Sequence, residues 1–212
     1  MFPFPFSFVA PTSTGIGTVD NVYSMEFDGV NDYFAATYSG NVYACSIWFK
    51  PDSTITTATL LQYLISFGGT FNGVLLGSST SSLTNELIVV ADSAAVGRSA
   101  YTASGGTISN TWHHLCFNWS GSVYEIWLDG VNVQNTTTGT PTLISASQIQ
   151  IGRRSTGASY YYFEGKIDEV ALFNYTLDAD QIQEIYNATS TGVTADLDTL
   201  STPPVAWYRM GD

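Results

Sequence analysis

Basic residues are scarce in this chain. Six Lys and Arg stand against 18 Asp and Glu in 212 residues, a formal net charge of −12. Six cations do not build a phosphate-tracking stripe, so nucleic-acid binding is excluded as an expected role. Binding to an anionic membrane surface is excluded on the same ground. Charged residues of both signs make up only 11% of the chain, and Thr, Ser, Gly, Asn and Tyr fill the polar positions. Cysteine is limited to Cys45 and Cys116. Both fall in predicted strands, where a buried free thiol is the plain reading. A disulfide needs close Cα atoms, which spacing alone does not show.

Aromatics are plentiful instead, at 14% of the chain. With abundant Thr, Val and Gly, this composition suits strands and turns and supplies a core. The length suits one all-β domain.

The chain opens MFPFPFSFVAPTSTG. This stretch has no Lys or Arg, and Pro3 and Pro5 interrupt it, so it lacks the features of a secretory signal. It is also too short to span a bilayer. Phe2, Phe4, Phe6 and Phe8 favour an extended segment seeking an apolar partner. That partner is either its own domain or a neighbouring subunit. Residues 1–20 are read as an extended arm, 21–190 as a β-sandwich, and 191–212 as a tail with a further edge strand in prospect.

Within YSMEFDGVNDYFAATY, two short strands flank the turn signals Asp28-Gly29 and Asn31-Asp32. NVYACSIWFKPDS reads as a strand stopped by Pro51. LLQYLISFG, GVLLG and ELIVVAD are further strands between Ser/Thr/Gly loops. In HHLCFNWSGSVYEIWLDGVNV, Leu115, Phe117 and Trp119 share one face. Ser120-Gly121 then turns the chain. Tyr124, Ile126 and Leu128 alternate with Glu125 and Trp127 before Asp129-Gly130. Period-two alternation with frequent turns predicts an antiparallel sandwich. One short helix is expected from Asp178, with Gln181 at the reciprocal capping-box position and Leu177 and Ile182 as a staple. Ile182, Ile185 and Tyr186 form its apolar face.

The stretch IGRRSTGASYYYFEGKIDEVALFNYTLDADQIQEIY carries the most information. With MEFDGVNDYF, SIWFKP and TWHHLCFNWSGSVYEIWLDGV, it resembles a laminin G-like domain of the concanavalin A-like superfamily, over about residues 23–188. The resemblance implies an all-β fold: a two-sheet antiparallel jelly-roll sandwich with one short helix near its C-terminal end. It implies binding to sugars, proteins or surfaces more often than catalysis. The pattern VAWYRMGD normally opens such a domain, yet here it closes the chain at Val205 to Asp212. It is read as a permuted edge strand or as the start of a second domain. The Phe-rich opening and this ending resemble laminin G-like proteins of marine bacteriophages. That likeness implies a virion-exterior decoration, fibre or attachment protein.

Several residues are candidates for chemistry. Laminarinase-type hydrolases of the same superfamily place three carboxylates on one face of a Glu-x-Asp-x-Glu strand. Here Glu164 and Asp168 share a face by alternation, but adjacent Asp168 and Glu169 are expected to point apart, which argues against hydrolysis. His113 and His114 likewise point apart and make no simple metal pair. Asp28, Asn31 and Asp32 offer oxygen ligands for calcium at a tight turn. The resemblance adds Asp168 to that set. Turn chemistry is the other reading of the same residues.

The run Tyr160-Tyr161-Tyr162-Phe163, beside Arg153 and Arg154, is the candidate ligand surface. Aromatic faces suit sugar stacking or protein contact, and paired Arg suits a carboxylate. The alternative is that these residues cover the sandwich edge. Sequons at Asn118, Asn135, Asn174 and Asn187 match the chance expectation for a Thr/Asn-rich chain. Together these readings give a non-enzymatic surface protein, oligomeric through its arm and facing glycans or a host surface. A secreted bacterial carbohydrate-binding module or adhesin is the rival, and a glycoside hydrolase comes third.

Overall fold

The computed structural model describes residues 15–54, 61–68, 73–76, 86–90, 98–102, 108–119, 124–134, 143–155 and 160–211. Phe2, Phe4, Phe6 and Phe8, the Ser120-Gly121 turn and Asn135 lie outside them.

The strands in chain order are β1 (Gly17–Asp20), β2 (Met25–Asp28), β3 (Phe34–Ala36), β4 (Gly40–Val42), β5 (Ala44–Pro51) and β6 (Gln62–Phe67). Then come β7 (Gly73–Leu76), β8 (Glu86–Val90), β9 (Arg98–Thr102), β10 (His113–Trp119), β11 (Tyr124–Leu128) and β12 (Val131–Gln134). After β13 (Ile144–Ala146), β14 (Ile149–Ile151) and β15 (Glu164–Phe173) follow the helix α1 (Ala179–Ala188), β16 (Val193–Asp196), a 3-10 turn (Leu197–Thr199) and β17 (Ala206–Tyr208).

A seven-stranded antiparallel sheet runs β12-β11-β10-β5-β15-β17, with β2 also on β15. A six-stranded sheet runs β3-β14-β6-β7-β8-β9. Their facing sides bury one core, including Phe27, Ile47, Phe49, Phe117 and Phe163 from the first sheet side and Ile65, Phe67 and Ile151 from the second. Alternation alone produces this division, since every second side chain of a strand points inward.

The outer face of the seven-stranded sheet is covered as well. Ile182 and Ile185 of α1 pack with Ala44, Cys116, Ala171, Phe173 and Leu197 in a second apolar cluster. The helix begins as its caps dictate. Asp178 accepts from the Gln181 backbone N–H, and the Gln181 side chain accepts from the Asp178 N–H. Leu177 and Ile182 are both buried in the same cluster. At Asp129-Gly130 the two-residue turn has φ of 50° and 75°, the left-handed pair that matches strand twist in a hairpin.

Cys45 lies in the inner core and Cys116 in the outer cluster. The two thiols are free and buried on opposite faces of one sheet. Residues 17–20, grouped with the arm by sequence, pair with β16. The closing segment places β17 on β15, with Ala171 opposite Trp207.

Candidate functional site

The sequence-predicted ligand surface lies at the rim, where β14 leaves the six-stranded sheet. Arg153 follows that strand, and Tyr33 enters beside it because Phe34 pairs with Ile151. The Arg153 guanidinium sits over the Tyr33 ring at 3.3 Å and near the Tyr160 ring at 4.7 Å. Its Nε donates to Gln150 Oε1 at 2.7 Å, and its Nη1 donates to the Tyr162 hydroxyl at 3.4 Å. Tyr33 and Tyr160 remain 44% and 42% exposed. The loop is held by its backbone. Arg154 N–H donates to Tyr160 O, and Phe163 N–H donates to Gly152 O.

Arg153, Tyr160 and Tyr162 are therefore brought together, and Tyr33 and Gln150 join them. Arg154 and Tyr161 form a separate contact, with the guanidinium 4.8 Å from the ring. Tyr161 has a φ of 49° and stacks on Tyr63 at 6.4 Å. The two arginines thus do not converge on one carboxylate-sized gap. Each guanidinium lies over a tyrosine of its own.

The expected calcium ligands are not gathered. Asp28 Oδ1 accepts from the N–H groups of Val30, Asn31 and Asp32. Those bonds, led by Asn31, hold the Asp28 carboxyl below the usual carboxylate range. Glu164, not Asp168, stands opposite Asp28, so Asp168 is four residues further along β15, about 13 Å at the ordinary strand rise. Among the described residues no group of three His, Cys, Asp or Glu is placed to hold a metal ion. The three carboxylates do not fit one shared cation.

A second correction concerns Asp168 and Glu169. Alternation places them on opposite faces, but β15 is irregular between Asp168 and Ala171, and Glu169 has a φ of 50°. The bulge turns Glu169 to the same side as Asp168. Asn21 Nδ2 donates to both, at 3.0 Å and 2.9 Å. Glu169 also accepts from Trp207 Nε1 at 2.5 Å and Arg209 Nε at 3.5 Å. Burial, then the Asp168 charge, raise the Glu169 carboxyl to about 7 against the pull of Trp207 and Arg209. Its side chain is only 3% exposed, so this carboxylate ties elements together and does not face solvent.

The histidines do point apart. His113 pairs with Asp129 at 2.9 Å and lies beside Phe49. His114 is fully buried beside Trp48 and Tyr186, with Nε2 2.8 Å from Ser46 Oγ. Burial lowers its pKa to about 4. Neither Ser46 nor His114 reaches solvent, so the pair performs no surface chemistry. Asn118 is occupied too: its side chain bonds Glu125 and the Leu177 backbone. Asn174 and Asn187 are exposed.

Sequence reasoning missed a cleft of about 630 Å³ on the outer face of the seven-stranded sheet. Trp48, Lys50, Lys166 and Asp168 form its floor, Asn21 to Ser24 one wall, and Thr189 to Thr194 another. The floor was hidden because it needs the register of β5 against β15, strands more than a hundred residues apart. Within each strand the signal was present: Trp48 and Lys50 alternate on one side, as do Lys166 and Asp168.

A family model described as the concanavalin A-like lectin/glucanases superfamily matches residues 26–183. No curated protein sequence matches the chain. Among solved structures, a candidate carbohydrate-binding protein of Bacteroides ovatus superposes with a TM-score of 0.63 at 13% identity, over 92% of this chain. This chain spans about half, 52%, of that protein. Domain 4 of the extracellular GH43 arabinanase AbnA of Geobacillus stearothermophilus, in complex with arabinotriose, gives 0.53 at 16% identity over 80% of each chain. The heptameric SAP-like pentraxin of Limulus polyphemus gives 0.58 at 13% identity, over 88% of this chain and 90% of that one. Two packed antiparallel sheets, one short capped helix and a family match over most of the length agree: the chain belongs to the concanavalin A-like lectin/glucanases superfamily, in its laminin G-like branch.

Proposed function

We propose that this chain is a non-enzymatic, lectin-like module that binds sugar through the rim cluster of Tyr33, Arg153, Tyr160 and Tyr162. One observation carries the reading. The Arg153 guanidinium packs against the Tyr33 and Tyr160 rings while both rings stay near half exposed. Rings already held in place lose little freedom when a sugar packs its C–H face on them. Two structural relatives, the candidate carbohydrate-binding protein and the arabinanase domain complexed with arabinotriose, support the same reading. The burial of Glu169, 3% exposed and bonded to Asn21, Trp207 and Arg209, supports the non-enzymatic part.

The setting is an exterior surface. On the sequence resemblance it is a bacteriophage virion, with the Phe-rich arm engaging neighbouring subunits and the sandwich turned outward. A secreted bacterial module or adhesin is the alternative setting for the same binding surface. Calcium at the Asp28 to Asp32 turn belongs to the proposal only as an accessory, since the ligands gathered there are few.

The test is a glycan array with folded wild type and Tyr160→Ala, each with calcium and with chelator, and circular dichroism as the check on fold. The expected result is binding of wild type to a defined neutral or charged sugar class and its loss in Tyr160→Ala. A blank array from folded wild type, or equal binding by the variant, overturns the reading.

A further inference from the structure

We infer that the outer-face cleft is a second binding site, separate from the rim, and that it takes an anionic saccharide. Its anionic group sits between Lys50 and Lys166, with its ring against Trp48 and Trp112. The chain has two lysines in all. Both line this cleft, and they stand directly opposite each other on β5 and β15. Directly opposed side chains lie about 5 Å apart at Cβ, and like charges there are destabilising. In a chain of net charge −12, two of six cations are spent on mutual repulsion. An anion between them removes that cost and forms charge-assisted bonds to both.

Glu26 and Asp168 offset the pair's charge only in part. Lys166 meets Glu26 at 3.8 Å, but Glu26 is 67% exposed, and such surface contacts contribute little. Among the described residues Lys50 has no ion-pair partner within 4 Å.

The rest of the cleft suits a sugar ring. Trp48 lies two residues before Lys50 on the same face, and its plane is fixed by stacking on Tyr186 at 5.9 Å and 11°. Trp112, 41% exposed, closes the side next to Lys50. Tyr23 is 65% exposed on the facing wall. Thr189, Ser190 and Thr191 line the other wall with hydroxyls. The volume falls in the usual range of small-ligand sites.

Charge also orients the ligand. Asp168 stands opposite Trp48, one step from the lysines. Its carboxylate repels an anion, so the charged group lies toward Lys50. Its oxygens are already engaged by Asn21 Nδ2 and the Glu169 N–H, so the sugar hydroxyls meet the Thr189 to Thr191 wall. A phosphate-dense ligand meets the same repulsion along its whole length. A peptide that adds as a strand would need an open sheet edge, and the cleft lies on a sheet face.

The experiment is calorimetric titration of the full chain with three probes: an oligogalacturonate, a chondroitin sulfate oligosaccharide and a neutral galacto-oligosaccharide. The proteins are wild type, Lys50→Gln, the Lys50→Gln/Lys166→Gln pair, and Tyr160→Ala. The expected result is binding of at least one acidic probe, weakened by added salt and about tenfold or more by Lys50→Gln. The melting temperature of Lys50→Gln should be unchanged or raised, because repulsion is relieved. Oligogalacturonate carries carboxylate alone and chondroitin sulfate carries carboxylate and sulfate, so binding of the second without the first points to the sulfate. Tyr160→Ala should keep this binding, so failure of the rim reading and failure of this one are distinguishable. The inference is overturned if neither acidic probe binds wild type. It is equally overturned if the double variant binds as wild type does, or if the neutral probe binds as tightly as the acidic ones.

Discussion

Trp207 donates its indole N–H to the carboxylate of Glu169 across the seam where β15 changes partner. Below the seam β15 pairs with β2, and above it with β17. Asn21 reaches the same carboxylate from the segment after β1, and Arg209 reaches it from the segment after β17. One buried group thus holds three chain segments. Glu169→Ala removes the acceptor shared by Asn21, Trp207 and Arg209, of which Asn21 keeps Asp168 and Arg209 keeps the Asp20 carbonyl, and should lower unfolding free energy by about 3 kcal/mol. Trp207→Phe removes one bond and should cost about 1–2 kcal/mol. Urea denaturation of both variants and their double mutant measures this. Strict additivity of the two substitutions would show that the residues do not act together.

The pH profile of stability follows from two opposed groups. The Glu169 pKa rises from 4.5 to about 7 on folding. The folded state then holds the extra proton, so this contribution is present at low pH and is lost as pH rises through 7. His114 falls from 6.5 to about 4. The unfolded state holds that proton, so this contribution is lost as pH falls from 6.5 toward 4. Between about pH 4.5 and 6.5 the slopes offset each other. Glu169→Gln should therefore gain stability relative to wild type as pH rises through that window. A constant difference in melting temperature from acid to neutral pH would count against the assignment.

Gly165 has no room for a side chain. Its φ is +139°, and an added Cβ would lie 2.3 Å from the Lys50 carbonyl oxygen. Gly165→Ala should cost about 3 kcal/mol or more, since backbone must move to relieve the contact. A soluble variant with the wild-type urea midpoint would contradict this.

The thiols should be silent in the native protein. Burial pushes Cys45 up to about 12 and raises Cys116 as well. Thiolate is the reactive form, so labelling by a disulfide reagent should wait for unfolding. Rapid modification of either cysteine in folded protein would show that the sheet opens locally.

Much of the sandwich was legible in sequence, because its signals are local. The alternation of Leu115, Phe117, Tyr124 and Ile126 fixes which side is buried, and Asp129-Gly130 fixes the hairpin. Asp178 and Gln181 fix the start of α1. The outer face was less legible. Glu169 was placed on the wrong side because a bulge breaks the period of two that the reasoning used. Lys50 and Lys166 were not connected because their meeting depends on long-range pairing. Tyr33 joined Arg153 for the same reason, through the pairing of β3 with β14. Asp28 was read two ways, and its three backbone bonds follow the turn reading.

The closing segment has a consequence for how the chain is handled. The family match ends at residue 183, inside α1, while β17 covers the flank of β15 from Val170 to Leu172. A piece trimmed to the matched stretch would leave those N–H and C=O groups unpaired beside Ala171 and Leu172. Such a bare, apolar strand border is a template for joining another copy. Trimming would therefore show itself first as clumping during expression, well before any loss of sheet content, and the last residues act as a guard against self-stacking.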